Sequence, residues 1–388
     1  MRQTTLALAL LIAALCGNVH AAPGNSETQL AKSIRALQDS RLDVALNEVD
    51  DLLRSKPNFK LAQLVKGDLL MARAGAVSDF GSLANAPRDK IADLREEAKV
   101  RLQRAQTQAD SKRQAPGFLW QLDAQQKYAL VVDTGSSSLF VYENVNGEPR
   151  YLTDFYITIG KLGTEKFTEG DQRTPIGIYF VTSELFKEQL ADLYGNGAFP
   201  LNYPNEWDQR TGRGGSGIWL HGTPSDTYSR PPRASNGCVV LSNEDLDQLT
   251  PYLQVGITPV IITKQMSPRT AQDQQRRDEL LQAIEQWRND WASLDTDRYL
   301  AHYSNDFSSG GANYAAWAQH KARVNAAKSW IKLDLSNISL FNYPEQPNVA
   351  VVNFEQDYNS NNLSNRMKKR QYWIKQGDTW KIIYEGAA

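Results

Sequence analysis

His221 and Cys238 stand 17 positions apart, in the strings WLHG and SNGCVV. A thiol is a strong nucleophile only as thiolate, with its pKa lowered by a neighbouring imidazolium or by oriented backbone dipoles. The same imidazole can later protonate a leaving amine. Its other ring nitrogen must then be held, by a side chain or by a backbone carbonyl, and Gly222 and Thr223 follow His221 directly. Acyl transfer also needs donors for an oxyanion. In Asn236-Gly237-Cys238 the amides of Gly237 and Cys238 can aim at one point, and glycine lets a substrate approach the backbone closely. These residue types describe acyl transfer through a thioester. A lone cysteine can equally be a packed, inert apolar residue, so the pair alone leaves both readings open.

The compartment bears on that choice. Arg2 precedes the apolar run LALALLIAALC, and GNVHAA follows it, with Val19 and Ala21 at the −3 and −1 positions of a cleavage site. This pattern predicts a secretory signal peptide over residues 1–21 and a periplasmic mature protein. The run falls short of the ~20 residues a spanning helix needs, and no later run is apolar enough, so an integral membrane protein is not expected. Cys16 and His20 leave with the signal peptide. The mature chain keeps one cysteine, which cannot form an internal disulfide and would face an oxidising environment. The full chain has 43 basic and 44 acidic side chains, net −1. That balance suggests neither nucleic-acid nor electrostatic membrane binding. His221, His302 and His320 lack metal-ligand spacing such as CxxC or HExxH, so no metal or other cofactor is expected.

Three segments must position the pair. Residues 22–115 read as helical: Leu42, Ala45, Leu46, Val49, Leu52 and Leu53 recur at helical spacing, and Pro57 separates them from LAQLVKGDLLMARAG. Ala45, Pro57, Ala62 and Gly67 resemble a tetratricopeptide-type hairpin. At most two hairpins fit, too few to bury a core alone, so the segment should lean on its neighbour as a scaffold or present a surface to a protein partner. Residues 116–265 change period. YALVVD and SLFVYEN flank TGSS as a hairpin, and YLTDFYITIG, IGIYFVT, GIWLHG, GCVVLS and TPVIIT are further strands. The loop from Phe186 to Gly217 has the length and composition of a lid. Residues 270–388 begin with a helix placing Leu280, Leu281, Ile284, Trp287 and Trp291 on one face. LDTDRYLAHYSNDF continues as a second helix, and the strands KLDLSNISLFNY, NVAVVNFEQDYNS, NRMKKRQYWIKQ and TWKIIYEG follow, an α+β order. Trp287, Trp291, Trp317 and Trp330 read as core and pocket walls.

The stretch around Cys238 resembles the signature of the L,D-transpeptidase (YkuD-type) catalytic domain: a His, a long loop, then Ser/Thr-His-Gly-Cys and a nearby Asn. Here these are His221, the loop 222–234, Ser235-Asn236-Gly237-Cys238 and Asn243, with ITIGK at 157–161 and TPIGIY at 174–179 as upstream landmarks. The resemblance implies a largely antiparallel, β-sandwich-like domain with Cys and His in a groove. It implies that Cys238 attacks the carbonyl after meso-diaminopimelate in a peptidoglycan tetrapeptide stem, releasing D-alanine. His221 would act as base and then acid, the Gly222 carbonyl would hold the ring, and the Gly237 and Cys238 amides would bind the oxyanion. Ser235 would support the site. Arg233 would bind a stem-peptide carboxylate or remain a solvated loop charge. Asn236 replaces the usual motif His, which affects substrate positioning more than thiol chemistry because Asn cannot titrate. Val240 stands where many members have Arg. The last segment resembles an NTF2-like domain, and the two together resemble the cell-shape L,D-carboxypeptidases. An amine acceptor is the first expectation for the thioester and water the second. A non-catalytic wall-binding scaffold is the third, and the intact pair argues against it.

Overall fold

The computed structural model describes residues 25–75, 80–81, 87–106 and 114–388. The signal peptide expected over 1–21, with Cys16 and His20, lies outside them. No helix among the described residues is long and apolar enough to cross a membrane.

Four helices come first: α1 (Asn25–Gln38), α2 (Leu42–Ser55), α3 (Lys60–Ala74) and α4 (Arg88–Gln106). Helix α2 buries Ala45, Val49 and Leu52, spaced to share one face. Against them α3 buries Leu61, Ala62, Val65 and Leu69. Ala98 of α4 completes this core, and Tyr228 packs on it from the loop between His221 and Cys238. The helical segment therefore leans on the loop that joins His221 to Cys238.

Strand β1 (Leu119–Gln121) departs from the expected boundary at 116. It pairs antiparallel with β15 (Ile331–Asn342) at the edge of the C-terminal sheet, and Trp120 is buried in that domain's core. The central sheet begins with β2 (Tyr128–Asp133), β3 (Ser138–Val145) and β4 (Glu148–Tyr156). Its strand order is β4-β3-β2-β12-β6, with β6 at Gly177–Phe180 and β12 at Pro259–Thr263. Strand β5 (Ile159–Gly160) pairs in parallel with β10 (Arg233–Ser235). A second layer, ordered β11-β9-β8-β7, holds β7 (Leu185–Phe186), β8 (Gly197–Pro200), β9 (Trp219–His221) and β11 (Val239–Val240). Short helix α6 (Asn243–Leu249) packs Leu246 and Leu249 into the core beneath this layer, while short helix α5 (Glu206–Arg210) sets Trp207 against Tyr343 and Tyr372 of the C-terminal domain. The domain is more mixed than expected: β12 runs parallel to β2, and β11 parallel to β9.

The central sheet is buried on both faces, as its nearly continuous apolar strands require. Leu130, Val132, Leu139, Val141, Val260 and Ile262 face the second layer. The alternate residues Ala129, Val131, Phe140 and Ile261 pack with Phe341, Val351 and Tyr372 of the C-terminal sheet. The two domains are thus joined through a shared apolar core.

The C-terminal sheet runs β1-β15-β16-β17-β18, where β16 is Val349–Ser360, β17 Leu363–Gln376 and β18 Thr379–Ala387. Helices α7 (Ala271–Ala292), α8 (Thr296–Leu300) and α9 (Tyr314–Ala326) cover it, and β13 (Ser308–Ser309) and β14 (Ala312–Asn313) form a small hairpin. The second helix is shorter than LDTDRYLAHYSNDF suggested, since Tyr303, Ser304 and Phe307 turn inward to the core and its hydrogen bonds. Helix α9 was not read from the sequence. Trp287 and Trp291 are buried as expected, but Trp330 is 48% exposed, just before β15. Within the C-terminal domain, the Lys321 ammonium lies 4.6 Å from the Trp291 ring centroid and 4.4 Å from that of Trp317. Burial pushes it down to about 8.

Candidate active site

Strands β9 and β11 are direct parallel neighbours, with Val239 opposite Leu220 and Val240 opposite His221. Leu220, Val239 and Leu241 point into the core. Alternation then turns Trp219, His221, Cys238 and Val240 to the other face. Cys238, one position before β11, lies diagonally across from His221. A strand spacing of about 4.8 Å and a rise of about 3.3 Å per residue put their Cα atoms roughly 8 Å apart, with both side chains on one face. The strand pairing thus brings together two residues that the loop 222–234 separates in sequence.

The imidazole is fixed. Its Nδ1 lies 2.7 Å from the Gly222 carbonyl oxygen, so Nδ1 carries the proton and donates. That leaves Nε2 unprotonated, the tautomer a base requires. His221 is 3% exposed, and the Tyr194 ring meets it edge-on at 5.1 Å and tilts against Trp219 at 4.9 Å. Asn243 locks the backbone that holds the ring: Nδ2 donates to Thr223 O at 2.9 Å, and Oδ1 accepts from Asn196 N at 3.0 Å. A Cβ on Gly222 would meet that Oδ1 at 2.1 Å, so only glycine fits there. Asn243→Ala should lower kcat by about tenfold to a hundredfold through a misplaced ring, as small misplacements do. Steady-state rates on enzyme of unchanged far-UV circular dichroism would check this.

The turn bearing the thiol is held as tightly. Ser235 Oγ donates to Cys238 O at 2.6 Å and accepts from Gly237 N at 3.1 Å. Thr174, the threonine of TPIGIY, donates to Gly237 O and accepts from Gly160 N, both at 2.9 Å. Gly237 has φ +125°, and a Cβ there would sit 2.7 Å from Arg173 O. Ser235 therefore shapes the turn without touching the sulfur. The expected pair of oxyanion amides reduces to one. The Gly237 N–H is spent on Ser235, leaving that of Cys238.

The electrostatics differ from the sequence expectation of a lowered thiol pKa. Burial pushes the Cys238 thiol up, against opposing pulls from the Trp219 N–H, Arg230 and Lys166. Burial also pushes His221 down to about 4, partly offset by the bond to Gly222 and reinforced by Arg230. Both shifts favour the neutral forms, because partial removal from water disfavours either charge. Proton transfer from Sγ to Nε2 must then accompany attack. Sγ meanwhile donates to Gly217 O at 3.4 Å.

Arg233 is exposed on β10 with no ion pair among the described residues, which favours the solvated reading. The half-buried residue whose charge reaches both Cys238 and His221 is Arg230. The sequence reading missed it, because nothing in SRPPR ranks one arginine above the other. Asn236 is exposed beside the turn.

The description "L,D-transpeptidase catalytic domain" fits residues 127–262, and "Cds6 C-terminal NTF2-like domain" fits residues 279–386. The structure is similar to that of Bd1075 from Bdellovibrio bacteriovorus, with 31% identity and a TM-score of 0.62. The match covers 71% of this chain and 98% of that one. It also shares the fold of Pgp2, a helical cell shape determining protein from Campylobacter jejuni, at 24% identity and TM-score 0.60, over 76% of this chain and 99% of that one. No curated protein sequence matches it.

Proposed function

The chain belongs to the family that joins an L,D-transpeptidase catalytic domain to a Cds6-type NTF2-like domain, and on that basis we propose that it is a periplasmic cysteine acyltransferase of peptidoglycan stem peptides. The observation that carries the proposal is the His221 ring, held through Nδ1 by Gly222 with Nε2 free, on the same sheet face as Cys238.

In the proposed reaction Sγ attacks the carbonyl after meso-diaminopimelate while Nε2 takes the thiol proton. The Cys238 amide receives the oxyanion. The carbon–nitrogen bond breaks, the imidazolium protonates the leaving D-alanine amine, and a thioester remains. A second nucleophile gives its proton to Nε2 and attacks the thioester, and the sulfur leaves and recovers a proton. No metal is needed, since the proton and charge are handled by His221 and the backbone.

The second nucleophile separates two readings. Transfer to an amine of another stem suits the catalytic domain taken alone. Hydrolysis, giving L,D-carboxypeptidase action, is favoured by the presence of the second domain, since the two domains together resemble the cell-shape L,D-carboxypeptidases. We therefore place hydrolysis first and transfer second. Incubated with disaccharide-tetrapeptide, the enzyme should release D-alanine and leave tripeptide, read by mass spectrometry. Cross-linked dimers in its place would establish transfer, and an unchanged tetrapeptide would remove both.

A further inference from the structure

The loop between His221 and Cys238 is gripped from two sides, and one grip comes from the N-terminal helices. On α4, Arg101 is 5% exposed and Glu97 1% exposed. Arg101 Nη2 donates to Ser229 Oγ at 2.8 Å, and Ser229 Oγ donates to Glu97 Oε1 at 2.5 Å. Arg101 Nε donates to Glu97 at 3.0 Å, and its Nη1 also pairs with Glu27 of α1. The guanidinium lies 3.7 Å from the ring centroid of Tyr156. That tyrosine's hydroxyl donates to the backbone oxygen of Arg230 at 3.0 Å, and Thr158 Oγ1 donates to the same oxygen at 3.1 Å. Two residues before Arg230, Tyr228 packs on Phe59 at 4.7 Å, and Lys56 pairs with Glu244 of α6. Arg101 thus touches the residue before Arg230 and the ring whose hydroxyl holds Arg230's carbonyl.

We infer that Arg101 of the helical segment is a positioning residue for the active site, holding the 228–230 turn of the loop that joins His221 to Cys238 and so fixing where Arg230 sits. The inference rests on the reading of Cys238 as the reactive thiol. It gives the helical segment a part in the chemistry without requiring a separate partner. Such a fully desolvated guanidinium is worth retaining only where its several donors are all used, and here Glu27, Glu97 and Ser229 use them. Lysine, a point charge without the planar fork, cannot serve these acceptors and the Tyr156 face together.

The test is the pH–rate profile of Cys238 alkylation by iodoacetamide in the full chain, read on the Cys238 peptide by mass spectrometry. It needs no wall substrate, so its outcome is independent of which peptidoglycan reaction is correct. Arg230→Met should move the profile about one pH unit upward, the effect of removing one nearby charge. Arg101→Met should move it in the same direction, Arg101→Lys should fail to restore it, and the double variant should equal Arg230→Met alone. Tyr156→Phe keeps the ring stacked and removes only the hydroxyl bond to Arg230. It should give a smaller shift of the same sign, and it decides the matter if Arg101→Met does not fold. A wild-type profile in folded Arg101→Met, a wild-type profile in Tyr156→Phe where Arg101→Met does not fold, or effects of Arg101→Met and Arg230→Met that add in the double variant would overturn the inference.

Discussion

Cys238→Ala is expected to abolish turnover of tetrapeptide muropeptides while leaving the fold in place. The loss should be about 10⁴-fold or more, since removing the nucleophile of an acyl-transfer site leaves only what binding and the oxyanion donor contribute. Stability should change by about 1 kcal/mol or less, because the sulfur is partly exposed and makes one weak bond, to Gly217. The turn around it does not depend on the thiol. Its bonds run through Ser235, Gly237 and the Cys238 backbone carbonyl, which alanine keeps. The measurement is product formation beside a thermal melt. Activity comparable to wild type would remove the nucleophile assignment and with it the proposed reaction.

The second large effect concerns His221. His221→Gln should lower kcat/KM by about 10³-fold or more, the scale expected when a general base of this kind is removed. The pH profile gives a sharper reading. Burial holds the ring's pKa at about 4, below its ordinary value, so the neutral, proton-accepting form persists until the pH falls to that range. Wild-type kcat/KM should therefore be flat from neutrality down to about pH 5 and fall as His221 protonates near pH 4. An acid limb near pH 6.5 would mean that the ring is not desolvated as the structure has it. The linked effect on stability has the same direction. The folded state resists protonation and the unfolded state does not, so His221 costs stability as pH falls below 6.5, increasingly down to about 4, and nothing above. Replacing it with glutamine should remove that part of the acid sensitivity.

The roles of Gly222 and Asn243 explain why these effects should be large. The ring is held by a carbonyl whose own position is fixed by an amide side chain from α6. A carbonyl accepts a proton-bearing nitrogen without adding a negative charge, so it selects the tautomer while leaving the imidazole weakly basic. This is consistent with a neutral resting pair, in which the thiol keeps its proton until a substrate carbonyl is in place. In an oxidising compartment a protonated thiol is also the less readily oxidised form.

The fused core between the catalytic and C-terminal domains bears on how the protein moves. Phe341, Val351 and Tyr372 lie against the back of the central sheet, opposite the layer that carries His221 and Cys238. An interface of that character resembles a domain interior more than a hinge. The NTF2-like domain is thus held at a fixed place relative to the thiol.

The amino-acid sequence by itself determined which segments form strands and helices, because period, turn chemistry and composition are local. Alternating apolar residues specify YALVVD and SLFVYEN, and helical spacing specifies α2 and α3. The order of His221, Ser235, Gly237 and Cys238 was enough to suggest a thioester chemistry. Helix α9, the switch of β1 into the far sheet, and the exposure of Trp330 were not legible, since each depends on what packs against it. Only the tertiary structure decided that β9 and β11 are parallel neighbours, that the Gly237 amide is spent on Ser235, and that the charge of Arg230 reaches the thiol. It alone supplied the burial that disfavours charge on both members of the pair. Desolvation and electrostatic fields sum over groups brought together from distant parts of the chain, and no local pattern of residue types contains that sum.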